Sequence, residues 1–199
     1  MKLMCVVMTS LLLSFSAFAK DYKPGKYQVD TAHSKVGFEI PHLVISTVEG
    51  KFTDFSGTVQ LDKKFNKSKI DVVISAKSID TANSKRDDHL RSADFFDVEK
   101  NADIKFVSTG ITGTPDKFTV QGKLTMKGVT KPVTLDAQYL GTVKDGFGNE
   151  KAAFSAKTKL NRKDFGLTWN NVVEAGPVVG DQVSIDLRIQ AALEQPKKK

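Results

Sequence analysis

Phe118-Thr119-Val120-Gln121-Gly122-Lys123-Leu124-Thr125-Met126-Lys127-Gly128-Val129-Thr130-Lys131-Pro132-Val133-Thr134-Leu135-Asp136-Ala137 decides the fold. Phe118, Val120, Gly122, Leu124 and Met126 form an unbroken row at every second position, with polar residues between them. That period belongs to a strand with one buried face. Gly128 to Pro132 turns the chain, and Val133, Leu135, Ala137, Tyr139 and Val143 return it in the same rhythm. The segment reads as two antiparallel strands joined by a tight turn.

The same alternation runs outward in both directions. Upstream lie Val36, Phe38, Ile40 and His42, then Val48, Gly50 and Phe52, then Phe55, Gly57, Val59 and Leu61. The odd step from Phe52 to Phe55 predicts a bulge or bend at Thr53-Asp54, a device that strongly coiled sheets need. Ile70, Val72, Ile74 and Ala76 form another row, as do Ile104 and Phe106. Downstream, Asp145-Gly146-Phe147-Gly148-Asn149 makes a turn before Phe154, Ala156, Thr158 and Leu160. Val183, Ile185, Leu187, Ile189 and Ala191 make the last row.

One helix interrupts the series. Ser84 with Asp87 reads as a capping pair, and Leu90, Ala93 and Phe96 follow at helical spacing. It is placed to cover a barrel mouth or a sheet edge. The expected fold is all-β: an eight-stranded antiparallel, lipocalin-like barrel with one short helix. Closure removes exposed edges, and eight strands is the size at which an interior can hold one small ligand. The inward rows mix Phe with Gly and Ala, a mixture that fits either a filled core or a tunnel.

Composition excludes several classes. Of 199 residues, 40% are hydrophobic and 27% charged, as in an ordinary globular chain. The sole cysteine is Cys5, so no disulfide, no cysteine zinc site and no cysteine nucleophile belongs to the body of the domain. Lys2, an apolar run to Phe18 and the Ala17-Phe18-Ala19 site read as a cleaved signal peptide over residues 1–19. The expected mature domain is therefore residues 20–199, a periplasmic protein. Formal charge is +7, and Lys197-Lys198-Lys199 form a basic tail. Export argues against a nucleic-acid partner. The basic balance instead suits transient contact with an anionic membrane surface, or a merely solvated exterior. A homodimer stays open.

Catalytic signatures are weak. His33, His42 and His89 are scattered over turn, strand and helix, so a metal site with Asp30 is disfavoured and no metal is expected. There is no G-x-S-x-G elbow and no phosphate-binding glycine loop. Asp87, Asp88 and Asp94 read as the solvated face of the helix. No cofactor is expected.

Specific motifs carry a resemblance. Asp30-Thr31-Ala32-His33-Ser34-Lys35-Val36-Gly37-Phe38 opens the series, and Val48-Glu49-Gly50-Lys51-Phe52 follows. Next comes Arg86-Asp87-Asp88-His89-Leu90-Arg91-Ser92-Ala93-Asp94-Phe95-Phe96-Asp97. Gly122-Lys123-Leu124-Thr125-Met126-Lys127-Gly128-Val129-Thr130-Lys131-Pro132-Val133 and Arg162-Lys163-Asp164-Phe165-Gly166-Leu167 complete it. In order and spacing these resemble the YceI-like family of exported polyisoprenoid-binding proteins. One departure is Asn101-Ala102, where the family usually carries a Tyr-Pro-like pair.

The resemblance implies a non-catalytic barrel whose apolar tunnel sequesters or carries a long-chain amphiphile: an isoprenoid quinone, a polyprenyl phosphate or a fatty-acid derivative. Phase nominates Phe38, Ile40, Phe52, Ile74, Phe106, Leu124, Met126 and Phe154 as wall; taken singly each reads sooner as plain core, and only the set as a whole supports a pocket. His42 ends an apolar row and is a head-group candidate, and Trp169 is a gate candidate. Arg162 is expected either at an anionic head group or, preferably, paired with Asp164 or Asp186. About ten buried methylenes at about 0.8 kcal/mol each give about 8 kcal/mol before the costs of association, a sum that approaches micromolar affinity without a head-group contact. Two alternatives stand beside the carrier: a lipid-modifying enzyme using a mouth histidine, and a packed barrel acting as an envelope interaction module.

Overall fold

The computed structural model describes residues 22–173 and 176–195. The expected leader and the lysine tail lie outside the described residues. The strands are β1 (Gly25–Val29), β2 (Lys35–His42), β3 (Ser46–Phe52), β4 (Phe55–Leu61), β5 (Lys69–Ser75) and β6 (Ile79–Asp80). After helix α1 (Ser84–Arg91) come β7 (Asp103–Thr114), β8 (Lys117–Met126), β9 (Val129–Lys144) and β10 (Glu150–Asn161). A small hairpin of β11 (Val172–Val173) and β12 (Gly176–Pro177) precedes β13 (Gln182–Leu193).

Several of these are halves of longer strands. β1 and β2 both pair with β13, and a short 3-10 turn at Thr31–His33 separates them. β3 and β4 pair with β2 and β1 in turn, and β5 and β6 follow on β4 and β3. Joined this way, β1–β2, β3–β4, β5–β6, β7, β8, β9, β10 and β13 are eight antiparallel strands in sequence order, and β13 closes on the first. The expected eight-stranded barrel is therefore the fold.

The expected break at Thr53-Asp54 is a bend, stitched to the neighbouring strand by Thr53 N–H to the Ser78 carbonyl (3.1 Å) and Ser75 N–H to the Asp54 carbonyl (2.9 Å). It lets Phe52 and Phe55 both face inward. Two further bulges escape period-two reading. The β9–β10 register shifts between Ala153 and Phe154, leaving Leu140 as the extra residue. The phase of β9 flips there, so Val143, expected inside, is exposed, while Thr142 meets the Tyr139 hydroxyl. A matching shift on β7 between Ser108 and Gly110 turns Ile111 inward.

α1 is shorter than its apolar spacing suggested. Asn83 is its cap, accepting from Arg86 N–H at 3.1 Å, and Ser84 is already helical. Past Arg91 the chain turns, with Phe96 N–H bonded to the Leu90 carbonyl at 3.0 Å. Phe95 and Phe96 are delivered to the interior from turns.

The two ends of the barrel differ. At one end Tyr27 and Tyr139 are fully buried. Tyr22 packs edge-on against Phe65 and Tyr139, and Phe65 against Phe118. Tyr27 donates to the Lys23 carbonyl and Tyr22 to the Asp62 carbonyl, so both hydroxyls are satisfied. This end is a solid aromatic plug. The other end carries α1, the β2–β3 turn and the β11–β12 hairpin.

Candidate functional site

Between the plug and α1 lies a cavity of about 640 Å³. That is within the range of ligand pockets and gives room for on the order of twenty water-sized groups. The bore is not filled by the protein's own side chains. Its wall is built from inward rows of every long strand: Val36, Phe38 and Ile40; Phe52 and Phe55; Val72 and Ile74; Phe106; Val120, Leu124 and Met126; Val133 and Leu135; Phe154; Ile185 and Leu187. All ten nominated residues, including His42 and Trp169, lie on this lining. The sequence reading did not nominate Ile79, Leu90, Phe95, Phe96, Val178 or Val179, which also line it. Phe95 and Phe96 sit in the quoted motif but off any strand period, so phase alone gives no sign of them.

Glycine makes room for the rings. A Cβ on Gly50 would lie 2.3 Å from Cζ of Phe38, and one on Gly122 would lie 2.3 Å from Cζ of Phe106. Phe38, Phe52 and Phe96 continue as a chain of rings with centroids 5.9 Å apart at each step. The chain of rings runs from β2 to the turns after α1.

Polar lining gathers at the α1 end: Thr81, Asn83, Lys85, Arg86, His89 and His42. Asp87 is buried and accepts from Thr81 N–H at 2.9 Å and from the Thr81 hydroxyl. This corrects its placement on a solvated face. Arg86 donates from Nε to the Thr81 hydroxyl and from Nη2 to the Thr81 carbonyl, both at 2.7 Å. Arg91 reaches the Lys77 and Ile79 carbonyls at 2.8 and 2.9 Å. These bonds fasten α1 over the opening.

Trp169 meets α1 at the mouth. Its ring is edge-on to His89 with centroids 4.8 Å apart, and 5.2 Å from Phe95. His89 also pairs with Asp94 at 2.9 Å. His42 stands beside Ser46, with Nδ1 at 3.5 Å from the hydroxyl. His33 is outside the cavity, against Asp30 at 3.1 Å. The structure therefore separates the three histidines, and no cluster of potential metal ligands occurs among the described residues.

Arg162 faces the cavity yet is committed elsewhere. It is 3% exposed. Its Nε donates to the Gly180 carbonyl (2.8 Å), and Nη1 to the carbonyls of Leu167 and Trp169 (2.8 Å for the latter). Nη2 reaches the Val179 carbonyl at 3.5 Å and Asp181 at 3.4 Å. Its ion-pair partner is thus Asp181, in place of the expected Asp164 or Asp186. Burial pushes the guanidinium pKa down and Asp181 opposes that shift. Its donors are occupied, so it fixes the mouth segments and is not free for a head group.

Comparison with known proteins places this geometry. A family model described as the YceI-like domain matches residues 27–191. A UPF0312 protein of Serratia proteamaculans is 43% identical over 172 residues, 86% of each chain. Protein YceI of Salmonella newport is 41% identical, over 79% of this chain and 82% of its own. Among solved structures, the Campylobacter jejuni YCEI protein is 33% identical, with TM-score 0.68, covering 89% of this chain and 100% of that one. Burkholderia cenocepacia BcnA superposes with TM-score 0.72 at 26% identity, covering 81% and 98%. A Saccharophagus degradans domain described as polyisoprenoid binding shares the fold at TM-score 0.64 and 14% identity, over 86% and 100%. The family match runs through all eight strands of the barrel, and the chain belongs to the YceI-like family.

Proposed function

We propose that this protein is an exported, periplasmic binding protein that sequesters or carries one long-chain amphiphile, without altering it. The carrying observation is the asymmetry of the cavity. An apolar bore is closed by tyrosines at one end and carries most of its polar side chains at the other, around α1, with Ser155 and Thr158 of β10 the polar residues along its wall. A molecule with a long hydrocarbon tail and a polar head matches that profile; a sugar, nucleotide or peptide does not. The polyisoprenoid-binding description of the Saccharophagus degradans domain supports the same ligand class. An isoprenoid quinone, a polyprenyl phosphate and a fatty-acid derivative all fit the profile.

The tail would supply most of the affinity, because each buried methylene contributes about 0.8 kcal/mol whatever head group it carries. Head-group selection would fall to Asn83, Lys85, His89 and His42 at the rim. Loading and release call for transient contact with a membrane surface, where such ligands reside. The test is native mass spectrometry of protein extracted from the periplasm, with lipid identification. An intact long-chain lipid in one-to-one complex is expected. Empty protein that also fails to take up a fluorescent long-chain fatty acid would sink the reading, and a consistently modified product would favour the enzymatic alternative.

A further inference from the structure

Two hairpins at the open end hold aliphatic side chains out into solvent. Ile45 is 89% and Val44 65% exposed at the β2–β3 turn; Val172 is 82% exposed on β11, beside the partly exposed Val173. The hairpins are joined into one tip. Leu43 N–H donates to the Val178 carbonyl at 2.9 Å, Gly180 N–H to the Pro41 carbonyl at 2.8 Å, and His42 bridges Val179. Asn170 clamps Val179 from both sides, donating to its carbonyl at 2.7 Å and accepting its N–H at 3.1 Å.

The turn is also unfavourable for the residues in it. Leu43 and Val44 have φ of 51° and 66°. A β-branched residue in left-handed backbone is strained, and Asn or Gly would be the relaxed choice. The chain thus holds an exposed valine where local energetics disfavour it. The same tip borders the bore, because Pro41, His42, Val178 and Val179 line the cavity.

We infer that this tip is a membrane-docking element: Val44, Ile45 and Val172 enter the interfacial layer of a lipid bilayer and set the mouth of the bore against it. Four aliphatic side chains fall well short of the roughly 1,000 Å² that a stable protein interface needs, whereas shallow insertion requires no complementary surface. Lys85 stands exposed on the same rim, and the chain stays basic without the expected leader, which holds only one of its 30 Lys and Arg residues, so anionic head groups are favoured. The inference deepens the carrier reading by naming the face that meets the membrane, and it can be tested without any bound ligand.

The experiment is co-flotation of the mature protein with vesicles of equal parts phosphatidylethanolamine and phosphatidylglycerol, with phosphatidylcholine vesicles as comparison. Ile45→Ser and Val172→Ser are each expected to weaken partitioning about tenfold, the factor set by withholding one aliphatic side chain from the apolar layer. Phe147→Ser is the control: Phe147 is 91% exposed, but on the β9–β10 turn at the plugged end. It should leave partitioning unchanged. Val44→Asn relieves the strained turn, so it should melt no lower than wild type while still losing partitioning.

Equal flotation of wild type, Ile45→Ser and Val172→Ser would overturn the inference, as would loss confined to Phe147→Ser. So would Ile45→Ser converting a dimer to a monomer in sedimentation without altering flotation, since the tip would then be a face for a second copy. Uptake of a soluble fluorescent fatty acid is measured in parallel. Its absence in wild type would fail the carrier reading alone, because flotation does not depend on it.

Discussion

Phe38 and Gly50 face each other across the β2–β3 ladder, and the Phe38 ring occupies the space a side chain at position 50 would need. Gly50→Ala must therefore push that ring off its site. One direction open to it is the bore, toward Phe52 and Phe96. Overpacking of this kind costs about 1–3 kcal/mol. Gly50→Ala is expected to lower Tm modestly and to shorten the longest fatty-acid chain retained, read by competition among chains of increasing length. An unchanged length profile would mean that Phe38 does not set the width of the bore.

Leu124 and Phe154 line the same cavity from β8 and β10. Leu124→Trp and Phe154→Trp fill space without introducing charge. Both are expected to keep the far-ultraviolet spectrum of the barrel and a Tm near or above wild type, because they reduce an internal void. Uptake of a long-chain fluorescent probe should fall at least about tenfold, the cost of excluding a few methylenes from the bore. Retention of wild-type uptake by both variants would place the ligand elsewhere.

What the sequence made legible was whatever depends on period two. The inward rows, the bend at Thr53-Asp54 and every cavity-lining nominee except Trp169, which lies on no strand, follow from alternation, because a strand puts every second side chain on one face. Legibility failed wherever one residue was added or the period stopped. Leu140 as a bulge sends Val143 outward, and no local composition marks it. Spacing reads Phe96 onto the helix and Phe95 onto no element, yet the helix ends at Arg91 and both rings enter the bore from turns. Asp87 looked solvated in a charged run, yet Thr81 folds back to satisfy it, a contact set by tertiary structure. Tyr27 lies on a strand of only Gly25–Val29, too short for a periodic signal.

Asp30 stands between β1 and β2 and accepts from Lys151 Nζ at 2.9 Å, His33 Nδ1 at 3.1 Å and Gln190 Nε2 at 3.3 Å. The Lys151 hydrogen bond, with help from His33, pulls its pKa down to about 2. A carboxylate depressed in the folded state stabilises the protein above its unfolded pKa of about 3.9, and that contribution is lost as pH falls through the folded value. Lys151→Met should therefore destabilise by about 1–2 kcal/mol at neutral pH, after allowance for solvent screening, with the deficit shrinking toward pH of about 2. Urea unfolding of both proteins across that range checks it; a deficit independent of pH would remove the ion pair as its cause.

Arg162 holds the mouth together through carbonyls on two separate segments, Leu167 and Trp169 on one side and Gly180 on the other. Arg162→Met would leave these buried acceptors without donors and Asp181 without its guanidinium, at about 3–5 kcal/mol, the range for breaking a buried charged network. Arg162→Lys keeps the charge but offers one compact donor group that cannot reach both segments, so it should resemble Arg162→Met more than wild type. Trp169 is the single tryptophan and reports locally on the mouth. In both variants its emission is expected to shift red and its acrylamide quenching to rise below the global unfolding transition, with faster release of a preloaded fluorescent fatty acid. Wild-type emission, quenching and release in Arg162→Lys would show that charge alone suffices there, and that the forked hydrogen bonding does not hold the gate.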